Sequence, residues 1–458
     1  MLLSNASNPR YSRSVMLTVC ALVLLSAGWL GISSGSIRAQ DDSLARVVYP
    51  KPSLPRPPRA GDKFTDPTFG TAIMRATDER DDPVGLSTYY SHWPTFNSNN
   101  TYILVRKGLG GDALIKAFNA DTFTVGRGHK PGPVEISGKG AVAVNLESAI
   151  WHPTNPELLY CFTGYTGGGM RLYTYNVATH RYSLLKDFSA LGTPSDYLWE
   201  MSMSTDGDVF AWSQKRVGQD NPIYYLVWRK SADKVLYHNA TNGLITKVRL
   251  DKSGRYLALQ HANFQADQIT NAYLTLSTGH VEPTRWNASD SPTGHGDLGT
   301  GFIAGFDNWA SGINRRWLNN VHAPQLVFRF QDAKGVVDWT NDLHGTMLAD
   351  NEDWITIGTY HEPSATLPNT GVFTDQIMQV ALDGSGRWRR ICYTRSSIDN
   401  RSDTTGYWAM PKPTISRDGR FIAFTSNWEK SGRFDVFIAR ITPAPVLSKP
   451  IRLRRTQD

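Results

Sequence analysis

The chain has 458 residues, of which 40% are hydrophobic and 19% charged, with a formal net charge of +7. This composition is typical of a folded globular protein and excludes a disordered or fibrous chain. The positive charge forms no long basic run apart from Arg452–Arg455, which argues against nucleic-acid binding but is compatible with an acidic polysaccharide.

The N-terminal 40 residues are predicted to be a signal peptide. Arg10 and Arg13 precede an apolar run from Val15 to Ile32, and Ala39 is a small residue at a plausible cleavage site. We therefore expect cleavage near Ala39, a periplasmic or secreted protein and no further membrane segment. An uncleaved membrane anchor is the alternative, because the apolar run is long enough to span a bilayer.

Residues 41–68 are rich in proline and are predicted to form a linker or a strap over the surface. The short apolar segment Ala72–Asp78 follows and is expected to form a strand. The next segments predict the strands of a first blade, at Thr95–Asn97, Tyr102–Val105, Leu114–Phe118 and Phe123–Gly126. Late in the chain, loops are expected at Glu362–Phe373 and Thr394–Trp408.

A turn-and-strand unit recurs along the whole chain. Its clearest copy is Pro411–Trp428, in which Asp418-Gly419 supplies a tight turn before the apolar strand Phe421–Phe424. Five other copies align on turn positions 100, 155, 207, 254 and 352, and the interval after 254 is about twice a usual blade length. A degenerate seventh copy fills that interval at Gly294–Phe306.

Seven strand-rich copies at this spacing predict an all-β fold, a seven-bladed β-propeller over residues 69–443. The last copy has no clear fourth strand, so we expect the N-terminal strand to complete the last blade and close the ring. Residues 444–458 are then a basic tail. Cys161 and Cys392 fall in strands of different blades and are expected to be buried free thiols.

The repeat also predicts which side chains meet at one mouth of the central channel. Residues just before an inner strand and just after the second strand should lie on the same face of the disc. Histidine is concentrated at these positions, and five of the 11 histidines occupy them: His92, His261, His295, His344 and His361. Other polar residues in the same positions are Arg106, Glu147, Glu200, Gln214 and Asp307.

Neighbouring imidazoles could bind a divalent metal. We predict His295, His344 and His361 as ligands, with Asp297 two residues from His295 and therefore on the same side of a regular strand. Asp342 and Glu362 are nearby alternatives. Manganese, zinc or calcium are the candidate ions. The alternative is that these histidines cap strands and hydrogen-bond channel water.

His92 lies in the polar and aromatic run Tyr89–Trp93 and is a candidate general acid or base; the alternative is a cluster that caps the blade. The glycine-rich segments at 108–111 and 167–169 lack a strand-to-helix context, so no nucleotide cofactor is expected.

The segment ISRDGRFIAFTSNW resembles the propeller repeat of TolB-type periplasmic proteins. The arrangement of seven copies with histidines at one mouth also has a distant architectural resemblance to oligogalacturonate lyases and ulvan-type lyases. That resemblance implies a His-rich metal site and β-elimination at a uronate. Arg106 would help to stabilise the C6 carboxylate, while a histidine such as His92 or His261, or a tyrosine, would remove the C5 proton.

Two functions remain open from the sequence. One is a metal-dependent polysaccharide lyase that acts on uronate-containing oligosaccharides. The other is a non-catalytic TolB-like propeller that binds a periplasmic protein or a glycan. A monomer is expected in either case.

Overall fold

A computed structural model of the protein describes residues 45–107, 112–165, 167–261, 265–290, 293–361, 371–398 and 404–447. Within these ranges the strands form seven blade sheets around a central channel, with one short α-helix and one 3-10 turn. The predicted all-β, seven-bladed propeller is confirmed. The predicted signal peptide and most of the basic tail lie outside the described residues.

Blades one to three follow one another in chain order. Two N-terminal strands, β1 (Lys63–Thr65) and β2 (Ala72–Arg75), precede blade one in the sequence and belong to the sheet of blade seven. Blade one proper contains β3 (Tyr102–Arg106), β4 (Ala113–Asn119) and β5 (Thr124–His129), followed by the hairpin of β6 (Val134–Ile136) and β7 (Gly140–Val142). Blade two contains β8 (Val144–Trp151), β9 (Leu158–Thr163), β10 (Arg171–Asn176) and β11 (Arg181–Asp187). After the 3-10 turn Ser189–Leu191, blade three contains β12 (Asp196–Met203), β13 (Val209–Arg216), β14 (Tyr224–Arg229) and β15 (Lys234–Ala240).

Blades four to seven continue the same antiparallel pattern. Blade four contains β16 (Ile245–Leu250), β17 (Tyr256–His261), β18 (Ile269–Thr275) and β19 (Val281–Arg285). Blade five contains β20 (Thr293–Leu298), β21 (Phe302–Asp307), β22 (Gly312–Trp317) and β23 (Asn320–Arg329). Blade six contains β24 (Asn341–Thr346), β25 (Trp354–His361), β26 (Gln376–Ala381) and β27 (Trp388–Tyr393). After α1 (Thr404–Ala409), blade seven contains β28 (Thr414–Ile415), β29 (Phe421–Ser426) and β30 (Asp435–Arg440).

The N-terminal segment closes the ring, as the sequence predicted. β2 pairs antiparallel with β30, so blade seven is built from both ends of the propeller, in the order β1-β2-β30-β29-β28. Its outer part is tied by a buried ion pair between Arg75 and Asp435, whose nitrogen and oxygen atoms are 2.7 Å apart. Pairing β2 with β30 leaves no open edge between the two ends of the ring.

The tight turns follow the repeat at most positions. Five of the seven aligned turn residues have a left-handed backbone: Asn100, Gly207, Gly254, Gly301 and Gly419. Glycine and asparagine are the residues that tolerate this conformation best. Asn155 and Glu352 are not left-handed, so those two turns have a different geometry. In the turns of blades four and seven, the side chains of Asp251 and Asp418 accept hydrogen bonds from backbone nitrogens of following residues.

Buried apolar side chains between neighbouring blades form the core. Between blades two and three, Phe210, Trp212 and Trp228 pack with Phe188 and Leu172, and all five are almost completely buried. Burying a large side chain of this kind stabilises the fold by about 1.5–3 kcal/mol. Cys161 and Cys392 are buried free thiols, as predicted.

Three local features differ from the sequence prediction. The predicted inner strand of blade one, Thr95–Asn97, is reduced to an isolated bridge between Phe96 and Ile103. The predicted loop Thr394–Trp408 ends in α1. β1 lies within the stretch predicted as a linker, because its residues pair with β2 along the outer edge of blade seven. No helix in the described ranges is long and apolar enough to cross a membrane.

Candidate functional site

The central channel contains a cavity of about 400 Å³ at the face where the polypeptide enters each inner strand. Residues from blades four, five and six and from the segment before blade one line it. The side chains that carry charge or can transfer protons are Tyr90, His92, Lys247, Arg249, His295, Asp342 and His344. The cavity also has an aromatic wall, to which Trp286 and Phe306 contribute.

The inner strand of blade five is distorted where it enters the cavity. The pairing of β20 with β21 shifts register between Gly294 and Asp297, and His295 has a left-handed backbone with φ of 45°. Gly296 sits so close to β21 that a Cβ there would collide with the carbonyl oxygen of Ala304. The bulge turns the His295 side chain toward blade six.

His295 and His344 form a stacked pair across the boundary between blades five and six. Their ring centroids are 4.6 Å apart and the ring planes differ by 13°. His295 is 42% exposed at its side chain, and its Nδ1 lies 3.1 Å from Oδ1 of Asp342. His344 is almost completely buried and packs on Tyr360 and Tyr90. The pair therefore combines one accessible imidazole with one that is fixed by its neighbours.

Asp342 is the carboxylate that holds this pair. Burial alone would raise its pKa, but the attraction of His295, the hydrogen bond from that ring and the proximity of His344 outweigh burial and hold the pKa well below its usual range. Its other oxygen accepts a hydrogen bond of 3.0 Å from the hydroxyl of Tyr360. Asp342 is therefore ionised at neutral pH and orients His295.

Two cations line the cavity from the inner strand of blade four, next to blade five. Lys247 and Arg249 alternate with buried Val248 on β16, so both point toward the channel. The Lys247 ammonium is 3.8 Å from a carboxylate oxygen of Glu200 and 5.1 Å from the centre of the Tyr90 ring. The Arg249 guanidinium donates to the carbonyl of Gly296 at 3.1 Å.

His92 and Tyr90 are proton-transfer groups that line the same cavity as these cations. Burial, together with Arg249 and Lys247, holds the pKa of His92 well below its usual range, so the ring is neutral at pH 7. Burial raises the pKa of Tyr90, although a hydrogen bond from Tyr407 opposes the shift. The Tyr407 hydroxyl donates to the Tyr90 oxygen at 3.2 Å, which leaves the Tyr90 proton available for another acceptor.

A buried lysine, Lys412, packs against the rings of Tyr407 and Tyr90. The Lys412 ammonium lies 3.7 Å from the centre of the Tyr407 ring and 5.0 Å from that of Tyr90, and the side chain is 1% exposed. Burial and the charge of Lys247 hold the pKa of Lys412 well below its usual range. The helix α1 supplies Tyr407, so the segment predicted as a loop contributes directly to the wall behind the cavity.

A second acidic group lies next to Lys247. Glu147 is 5% exposed, and burial, with the negative charge of Glu200, raises its pKa to about 8. Glu200 has a left-handed backbone with φ of 49°, at an irregularity in the pairing of β12 with β13. The predicted mouth positions of blades two and three therefore hold carboxyl groups near the cations of blade four.

The structure separates the predicted site residues into two groups. It brings His92, His295 and His344 together at one cavity, with Asp342 as the carboxylate. His261 pairs with Ile245 at the end of β17, and His361 pairs with Asn341 at the end of β25. Neither of these two histidines lines the cavity among the described residues.

Arg106 and Asp297 do not lie at the mouth cavity, where the sequence predicted them. Arg106 is fully buried, donates to the carbonyl oxygens of Leu146 and Ala149, and burial lowers its pKa to about 9. Asp297 accepts backbone hydrogen bonds from Leu298 and Met347. The bulge breaks the alternation on which the shared position of His295 and Asp297 depended, so Asp297 lines a second cavity instead.

The second cavity opens toward the hairpin turns at the other end of the channel. It has a volume of about 120 Å³ and shares His92 and Arg249 with the first. Most of its lining is apolar and includes Trp93, Met201 and Leu250. The two ends of the channel therefore differ in polarity.

The donor groups of the mouth do not form a metal site as they are placed. Among the described residues, no three His, Cys, Asp or Glu side chains form a group that could hold a metal ion. The stacked rings of His295 and His344 do not point at a common position between them. Glu362, a predicted alternative ligand, lies outside the described residues.

Lys247 and Arg249 were missed by the sequence reasoning, which considered only positions at strand ends. A signal was present, because alternating basic residues in ITKVRL on an inner strand must face either the channel or the core. Asp342 was named only as an alternative, and Tyr407 and Lys412 could not be placed without the path of the segment around α1.

Comparison with solved structures identifies similar propellers. The chain is similar to the oligogalacturonate lyase from Vibrio parahaemolyticus, with a TM-score of 0.57 and 10% sequence identity over 83% of this chain and 96% of that one. It is also similar to an oligogalacturonate lyase in complex with manganese, with a TM-score of 0.58 and 10% identity over 84% of this chain and 97% of that one.

The chain therefore has a lyase-like propeller fold. At 10% identity the similarity shows the fold alone. No protein-family model matches the chain, and no curated protein matches its sequence. The resemblance of the repeat to TolB-type proteins stays a prediction.

Proposed function

We propose that the protein binds a uronate-containing oligosaccharide in the mouth cavity and cleaves it by β-elimination. The observation that carries this proposal is the position of Lys247 and Arg249 in one cavity with the neutral ring of His92 and the hydroxyl of Tyr90. The similarity to oligogalacturonate lyases supports the choice of reaction at the level of fold. The proposal includes export of the chain, which the leader predicts.

The two cations would bind the substrate carboxylate. Lys247 and Arg249 are partly exposed at 20% and 17% of their side chains, and each is only loosely paired, with Glu200 at 3.8 Å and Asp297 at 3.4 Å. A carboxylate between them would gain hydrogen bonds to charged donors in a partly enclosed site, where such bonds are strongest. Their charge would also stabilise the negative charge that develops on the carboxylate when the C5 proton leaves.

His92 and Tyr90 would carry the two proton transfers. The neutral His92 ring accepts the C5 proton, and the electrons of that C–H bond form a C4=C5 double bond as the C4–O4 bond breaks. Tyr90 donates its hydroxyl proton to the departing O4. The products are an unsaturated uronate and a saccharide with a free hydroxyl. Return of the proton from His92 to the Tyr90 oxygen, directly or through solvent, restores the site.

The His295–Asp342 pair would orient the sugar ring. His295 is the exposed member of the stacked pair, and Asp342 fixes its ring through Nδ1. Its other ring nitrogen is then available to a substrate hydroxyl. A divalent metal at this position, such as manganese, zinc or calcium, does not fit the described donors as they are placed, and the steps above use the chain's own residues.

The test is an assay for the ultraviolet absorbance of an unsaturated uronate, with oligogalacturonate, alginate and ulvan fragments as substrates. The wild type should produce the absorbance with at least one of them, and His92→Gln should lower kcat/KM by about 100-fold, the usual contribution of a general base. His261→Gln is the matched control, because that histidine lies outside the cavity, and it should keep wild-type activity.

Two results would contradict the proposal. One is equal activity in His92→Gln and the wild type. The other is silence of the wild type on all three substrates, with and without added manganese, which would favour the non-catalytic alternative, a propeller that binds a protein or a glycan.

A further inference from the structure

The mouth face of the propeller carries an exposed tryptophan next to the cavity. Trp309 is 44% exposed and lies in the turn between β21 and β22. Its ring centroid is 6.0 Å from that of Trp286, which lines the cavity. The two rings differ by 53° in their planes, so together they form a bent aromatic surface that leads from the cavity to the outside.

Hydrogen bonds fix the backbone at both tryptophans. Asp307 ends β21, and its side chain accepts hydrogen bonds from the backbone nitrogens of Trp309 and Ala310 at 2.9 Å and 3.1 Å. Trp286 exchanges backbone hydrogen bonds with the segment Asp267–Gln268 of blade four. The surface therefore bridges blades four and five and lies on two backbone segments that hydrogen bonds fix.

The surface is continuous with the polar cavity. Phe306 and Asn308, which flank the start of the turn, line the cavity together with Trp286. A ligand that places its carboxylate near Lys247 and Arg249 and extends outward along blade five would therefore reach Trp286 first and Trp309 next. Large exposed aromatic side chains that adjoin a polar site mark a binding surface more often than an isolated exposed residue does.

We propose that Trp286 and Trp309 form a stacking subsite for the outer sugars of an acidic oligosaccharide. Each ring offers a flat apolar face to the C–H groups of a pyranose, and the cavity of about 400 Å³ holds the inner sugars near the cations. This inference rests on the proposed function, because it takes the mouth cavity as the site for a uronate. It adds that the protein selects chains longer than a disaccharide.

The setting of this surface favours a sugar chain over a protein partner. The surface adjoins a cavity that contains Lys247, Arg249 and the His295–Asp342 pair, so a ligand that covers both parts must be apolar in one part and polar or charged in the other. A sugar chain satisfies both parts, since it has apolar ring faces and polar or charged edges. The continuity of the two parts is the reason for choosing an acidic oligosaccharide.

Trp317 provides a matched control. It is 42% exposed, close to the 44% of Trp309, and belongs to the same blade. It pairs with Phe302, directly after the hairpin turn that contains Gly301, so it lies at the opposite face of the disc. A substitution at Trp317 therefore removes a similar amount of exposed aromatic surface far from the cavity.

The experiment measures the dissociation constants of the purified protein for galacturonate oligomers of two, three and six sugars. Each protein, including the one that is wild type at both tryptophans, carries His92→Gln so that the oligomers are not cleaved during the measurement. Trp309→Ala should weaken binding of the hexamer by roughly tenfold, the order expected for one lost aromatic contact, and leave the dimer unchanged. Trp309→Phe, which keeps a ring, should recover most of the loss. Trp317→Ala should bind all three oligomers like the wild type.

The outcomes separate the two proposals. If the wild type binds the oligomers but Trp309→Ala and Trp317→Ala show the same length dependence, the stacking subsite is wrong and the cavity proposal stands. If the wild type binds none of these oligomers, both proposals fail for this substrate class. Circular dichroism of each variant shows whether the fold is retained, and Trp309→Phe tests the subsite if Trp309→Ala is unfolded.

Discussion

Blades seven and five are built from the same repeat, but the strands of blade seven pair regularly and the inner strand of blade five does not. In blade seven the turn residue Gly419 has φ of 72°, and the Asp418 side chain accepts from Ser416 and Arg420. All residues of β28 and β29 are buried, and the pairing is regular. In blade five the inner strand contains a bulge, and the left-handed residue is a histidine within the strand.

The comparison shows that the irregular strand lies at the candidate site. Blade seven closes the ring, and its strands β28, β29 and β30 pair without a register shift. Blade five departs from the repeat at Gly294–Asp297, and that departure places His295 against Asp342 at the mouth. The irregular blade carries the candidate site and the regular blade carries the closure, as expected where a functional site overrides local rules.

The largest expected effect is at the closure of blade seven. Asp435 is 1% exposed and accepts from Arg75, Arg433 and Thr77. Asp435→Ala leaves two buried guanidinium groups without this carboxylate, and we expect a loss of about 3–5 kcal/mol in the free energy of unfolding, measured by urea denaturation.

Asp350→Ala is the control for this prediction. Asp350 forms an ion pair of 3.0 Å with Arg417, but its side chain is 56% exposed, so its removal should cost less than about 1 kcal/mol. Equal losses in the two variants would show that the buried network does not hold the ring closed.

A smaller loss of stability is expected when a side chain is introduced where the backbones of Gly296 and Gly305 approach each other in blade five. A Cβ on Gly296 would lie 2.6 Å from the Cα of Gly305, and backbone atoms cannot move aside easily. Gly296→Ala should therefore destabilise the protein by about 1–3 kcal/mol, the usual cost of overpacking, and weaken uronate binding because the bulge shifts.

Gly132→Ala is the control here, since no atom lies within 4 Å of a Cβ at that position. It should leave the midpoint of thermal unfolding nearly unchanged. A Gly296→Ala variant as stable as Gly132→Ala would mean that the strands can separate at the bulge without cost.

The smallest effect is the change in stability between pH 6 and pH 7 that comes from Glu147. Its pKa is raised to about 8 in the folded state, above the usual value for glutamate in the unfolded chain. Between those two values the folded state binds more protons, so stability falls as pH rises, by about 1.4 kcal/mol per pH unit at most. The loss begins near the unfolded pKa and ends near pH 8.

Urea denaturation of the wild type and Glu147→Gln at pH 6 and pH 7 measures this contribution. The variant keeps the size of the side chain but does not titrate, so its stability should fall less between the two pH values. The same slope in both proteins would show that Glu147 is ionised in the folded state throughout this range.

The sequence predicted the seven-bladed fold because the same kinds of turn residue recur along the chain. Asn100, Gly207, Gly254, Gly301 and Gly419 adopt the left-handed turn conformation that the alignment required. The closing strand followed from the missing fourth strand of the last repeat. His92, His295 and His344 line one cavity, because blade register determines which strand ends meet.

The rest depended on geometry that the alignment could not contain. Asp297 was assigned to the side of His295 by strand alternation, and one left-handed residue at His295 removed that alternation. Arg106 has the right position along its strand, but its guanidinium is directed to the carbonyls of Leu146 and Ala149. Tyr407 reaches Tyr90 only because of the path of the chain around α1.

The most direct test of the central claim compares two lysines of blade four. Lys247 lies at the mouth, whereas Lys252 lies beside the hairpin turn at the other end of the channel, where it binds the carbonyl of Ala349 and the carboxylate of Glu352. Each protein carries His92→Gln so that the ligand is not cleaved. Isothermal titration calorimetry with galacturonate trisaccharide should show binding by this parent protein and by its Lys252→Met variant, and at least tenfold weaker binding by its Lys247→Met variant, since a charged hydrogen bond contributes about 1.5–3 kcal/mol. Equal affinities in Lys247→Met and Lys252→Met, or no binding by the parent protein, would contradict the assignment of the mouth as the site.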